Sequence, residues 1–64
     1  MKDDVLKYIS SKFQDERAAI TDDLAMGKAK DHGDYKYFCG IIRGLLMANN
    51  IVIETAERME NADD

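Results

Sequence analysis

Proline is missing from this sequence, and cysteine and histidine occur once each, as Cys39 and His32. Without proline or a long Gly/Ser run, breaks in structure must be read from glycine and from the period of the apolar residues. A single cysteine rules out a disulfide within the chain. One histidine, with no Cys pair at ligand spacing, argues against a metal site. Basic residues are few, 9 against 13 acidic ones, for a formal charge of −4; that balance speaks against a nucleic-acid or anionic-membrane surface. These absences weigh heavily in a chain of 64 residues. Such a chain is one domain at most, and its core rarely supplies more than about 3–5 kcal/mol. Small chains usually add disulfides, a metal or association. Here only association is left, and no cofactor is expected. The lone cysteine and the charged start MKDDVLKY predict a reducing cytoplasm rather than secretion.

What is present in quantity is apolar surface. The run YFCGIIRGLLMANNIVI, residues 37–53, holds one charged side chain, Arg43, although 34% of the chain is charged. A membrane span is disfavoured by Arg43, Asn49 and Asn50 and by the lack of a flanking Lys/Arg cluster. A helix covered by protein is the better account.

The period of the apolar residues predicts two helices. Leu6, Ile9, Phe13, Ile20 and Leu24 share one face of the first, over about residues 3–26, with Glu16 and Arg17 interrupting the stripe. Asp3 suits the helix start, Asp3–Lys7 and Lys12–Glu16 are i,i+4 pairs, and Gly27 can end the helix in a left-handed conformation. Residues 27–33 form the turn, with Asp31 and Asp34 as caps for a second helix over about residues 34–60. Along that helix Tyr35, Phe38, Ile42, Leu45, Asn49, Val52, Ala56 and Met59 alternate by three and four. The fold class is therefore all-α, an antiparallel two-helix hairpin, and folding about residue 30 brings Phe13 opposite Gly44 to Ala48. The acidic end of the second helix opposes its dipole, so its last four or five residues are expected to fray.

The second helix is apolar beyond that seam. Cys39, Leu46 and Ile53 lie on one side, Tyr37, Ile41, Gly44, Ala48 and Ile51 on the other, and only Lys36, Arg43, Asn50 and Glu57 form a polar strip. A helix apolar on most of its circumference must be buried on most of it. The hairpin is expected to form a four-helix-bundle dimer, a higher oligomer, or a complex with a larger protein. The candidate interface is Tyr37, Gly40, Ile41, Gly44, Leu46, Met47, Ala48, Ile51 and Ile53. Gly40, Gly44 and Ala48 form a small-residue row that admits a close helix contact or is merely tolerated. Asn49 either pairs with its mate across an interface or bonds locally. Cys39 and His32 lack the third group and the oxyanion site that a nucleophilic pair needs, so no catalytic residue is assigned and the chain reads as non-enzymatic. Asp31 and Asp34 lack calcium-loop spacing, and a helix-turn-helix DNA reader would need a third helix and a basic recognition helix.

The run DYKYFCGIIRGLLMANNIVIETAERME resembles the C-terminal half of a group of short proteins of tailed bacteriophages, encoded near head and portal genes. Asp34, Tyr35, Cys39, Gly40, Ile42, Gly44, Leu45, Ala56, Arg58 and Glu60 carry the resemblance, and MGKAKDHGDY before them fits it, although Gly33 departs from the pattern. The resemblance implies a small virion-associated protein of the head or connector region, found in the virion and, during assembly, in the host cytoplasm. Its partners would be itself and/or a larger phage structural protein, with neither nucleic acid nor membrane involved. From another class, the alternative is a small phage regulator that binds and modulates a host protein.

Overall fold

The computed structural model describes residues 2–62, with side chains for residues 4–61. Two helices, α1 (Lys2–Ala25) and α2 (His32–Ala62), pack against each other as a hairpin. The expected Asp3 cap and Asp3–Lys7 pair involve a side chain outside the described residues.

The turn follows from its end residues. Gly27 takes a φ of 79°, which lets the Lys28 N–H reach back to the Asp23 carbonyl at 3.1 Å and the Gly27 N–H to that of Leu24 at 3.1 Å. This is a Schellman closure, which satisfies carbonyls that the helix end would leave orphaned. Lys28 Nζ, 3.0 Å from Asp23 Oδ1, adds an exposed ion pair, worth about 0–1 kcal/mol. At the other side of the turn Asp31 is the N-cap of α2: its Oδ1 accepts the Asp34 N–H at 2.8 Å, and its carbonyl accepts the Tyr35 N–H at 3.0 Å. Asp34 Oδ2 in turn accepts the N–H of Lys30 at 3.0 Å. That carboxylate reaches one residue further back than a capping box places it. Because Asp31 caps, α2 starts at His32, two residues before the expected position. It runs on to Ala62, so the expected fraying is not seen as far as that residue; positions 63 and 64 lie outside the described residues.

Packing between the helices is one seam wide. On α1 the half-buried positions step through Leu6, Ser10, Phe13, Arg17, Ile20 and Leu24; on α2 they step through Phe38, Ile42, Leu45, Val52, Ala56 and Met59, with Asn49 among them. Both rows alternate by three and four, as two helices in lengthwise contact require. The expected seam on α2 holds except at Tyr35, which stays 49% exposed and lies against the His32 ring at 6.4 Å. On α1 Ile9 is half-buried, and Ser10 beside it and Arg17 take further half-buried positions that the apolar residues alone had not marked. Lys12 is not paired with Glu16: among the described residues the one ion pair is at the turn, and Lys12 Nζ lies 5.5 Å from the Tyr8 ring centroid.

The seam makes a rod of 51 × 15 × 11 Å with a radius of gyration of 15.0 Å. Among the described residues no hydrophobic side chain is fully buried, and the one buried residue is polar, Asn49. Two helices in a single line of contact cover each other only along that line, so every apolar side chain keeps one edge in water.

Candidate functional site

Asn49 is held by a short chain of polar groups. The Ser10 hydroxyl donates to Asn49 Oδ1 at 2.6 Å, and Gln14 Nε2 donates to the Ser10 oxygen at 3.3 Å. The Asn49 oxygen is thus bonded by the other helix of the same hairpin. The bond runs across the hairpin rather than within its own helix. Slipping the helices by a heptad would set Asn49 against Arg17 or Asp3, so the pair fixes the register of α1 on α2.

A third of a turn from this inner seam, α2 carries a second one. Tyr37, Ile41, Gly44, Ala48, Ile51 and Thr55 alternate by four and three, with Gly40 and Met47 beside them. Tyr37 is 67% exposed, Ile51 64% and Met47 56%; Gly40 and Gly44 are exposed, and Ile41 and Ala48 half-buried. A Cβ at Gly40 or Gly44 would meet nothing within 4 Å, so Phe13 does not rest on Gly44 as the size match suggested. The Thr55 hydroxyl donates to the Ile51 carbonyl at 2.8 Å, which pairs its hydrogen within the helix. Tyr37 leans toward Phe38, ring centroids 6.1 Å apart, and so links the outer seam to the inner one.

Seven of the nine candidate interface residues therefore share one face of α2. Leu46 and Ile53 do not. They lie on the opposite flank with Cys39, where Ile53 borders an open groove of about 340 Å³ lined also by Leu6, Ser10, Gln14, Val52 and Ala56. One helix docked on the outer seam cannot reach both strips.

No family model, curated protein or solved structure matches this chain.

The other chemistry-bearing residues sit at the start of α2. Interaction with the Cys39 side chain, one helical turn on, pushes the Tyr35 pKa above its ordinary value. Because the neutral form is favoured, any contribution to stability is present below the ordinary phenol range and lost as the pH rises through the raised value. His32 stacks on Tyr35. Among the described residues no group of three or more His, Cys, Asp or Glu side chains is placed to hold a metal ion. By length and composition α2 is long and apolar enough to cross a membrane, and 6% of the qualifying window is buried in the protomer.

Sequence reasoning missed Ser10. Its signal was phase rather than chemistry: it lies four residues after Leu6 and three before Phe13, in step with the seam.

Proposed function

We propose that this chain is a non-enzymatic interaction protein that works by helix packing through the outer seam of α2. Following its resemblance to the small phage proteins, it serves as a virion-associated component of the head or connector region. The observation that carries this reading is the apolar face from Tyr37 to Thr55, most of which the hairpin leaves exposed. Leaving Ile51, Met47 and Tyr37 wet forfeits about 1.5–3 kcal/mol for each large side chain. A protein of this size has little stability to forgo.

Its partners on this reading are further copies of itself or a larger structural protein of the particle, and neither nucleic acid nor membrane takes part. Mass spectrometry of purified particles tests the placement. The protein should be recovered there in stoichiometric amount. Its absence from particles, together with co-purification of a host protein from infected cytoplasm, would replace this role with that of a regulator.

A further inference from the structure

We infer that the outer seam is occupied by a second copy of this chain, packed antiparallel on a two-fold axis at Gly44. The inference rests on the reading of that seam as the working surface and names its occupant. A two-fold interface is self-complementary: a residue a given distance before the axis meets one the same distance after it on the partner. The outer seam of α2 has that symmetry in side-chain size. Four positions either side of Gly44 stand two small residues, Gly40 and Ala48; three positions either side stand Ile41 and Met47; seven positions either side stand Tyr37 and Ile51. The small residues lie at the centre, where crossing helices approach most closely. The largest lie about 10 Å away along the axis, where the helices diverge and need filling.

Charge agrees with this orientation. Lys36 and Glu54 border the same edge of the seam, eight positions before Gly44 and ten after it. In the antiparallel pair each Lys36 faces a Glu54 of the other copy, twice per dimer. A parallel pair would instead carry the two copies of this edge to opposite sides of the dimer, where Lys36 and Glu54 could not pair.

Area agrees as well. The hairpin exposes 5101 Å², whereas a compact monomer of 7.3 kDa would expose about 4,200 Å². The excess, about 900 Å², is close to the roughly 800 Å² that each partner hides in a standard interface. Empty space beside Gly40 and Gly44 is available for the second α2 without displacing any side chain of the first.

The test uses the full chain. Light scattering over a range of concentrations should give about twice the 7.3 kDa monomer mass. Gly44→Leu should raise the dimer dissociation constant about a hundredfold; its helicity should persist, because a side chain there meets nothing within the protomer. In a Cys39→Ser background, mild oxidation of a mixture of Tyr37→Cys and Ile51→Cys proteins should yield the mixed disulfide. Tyr37→Cys alone should yield none. Self-crosslinking of Tyr37→Cys with no mixed product would mean a parallel pair and overturn the inference. A chain that stays at monomer mass but is recovered from purified particles loses the second copy and keeps the assembly role. A monomer absent from particles loses both. Recovery only in the membrane fraction, soluble only with detergent, would also overturn the two together.

Discussion

The two helices meet along the same seam yet differ in how much of themselves they still leave open. On α1, Lys7, Lys12, Asp15, Glu16 and Asp22 face solvent, and one apolar stripe suffices to bind it to its neighbour. On α2 a second stripe runs beside the first, and the hairpin leaves most of it exposed, Ile41 and Ala48 being half-buried. A helix with one apolar stripe is completed by one neighbour; a helix with two requires two. The hairpin is thus asymmetric by construction: α1 terminates the packing and α2 continues it.

Substitutions can break or sharpen this contrast. The largest effect is expected on the shared seam. Leu45→Asp places a carboxylate between the helices with no partner and should cost about 3 kcal/mol or more, enough to abolish the circular-dichroism melt. If α2 remained fully helical, the seam would not be what holds the two helices together.

Next comes the polar tie. Ser10→Ala should cost about 1–3 kcal/mol by leaving the Asn49 oxygen unsatisfied. Asn49→Leu should be close to neutral, or even stabilising, while allowing alternative alignments; broadened or doubled amide resonances in an NMR spectrum would report them.

Gly27→Ala forces a side chain into a left-handed conformation and should cost about 1–2 kcal/mol, read as a lower melting temperature. The smallest effects separate the outer faces. Ala19→Glu on α1 should leave both melting and association within about 0.5 kcal/mol of the parent. Ile51→Glu on α2 should spare the melt of the isolated hairpin and remove association. Equal behaviour of these two variants would erase the distinction between the helices.

Much of this architecture is legible in the sequence. The three-and-four alternation from Phe38 to Met59 identified the inner seam, and Gly27 marked the end of α1, because both signals depend on local geometry alone. Ser10 was hidden because a serine looks like surface; only the alignment of one helix on the other reveals that it faces an asparagine. Tyr35 was placed in the seam by phase, but it lies in the first turn of α2, where it stays half exposed and stacks on His32. The nine-residue interface took in apolar residues from both flanks of α2, a division that the helical period already showed. The backbone divides it, keeping Tyr37 to Ile51 on one side and sending Leu46 and Ile53 to the other.

The Ser10–Asn49 bond and the capped loop act as two fasteners on one strap, a good way apart along the rod. Between them, neither helix can slide or twist freely past the other. Beyond Ser10, among the described residues, only greasy contact restrains the paired helices, so thermal opening should begin there and travel inward until it meets the hydroxyl.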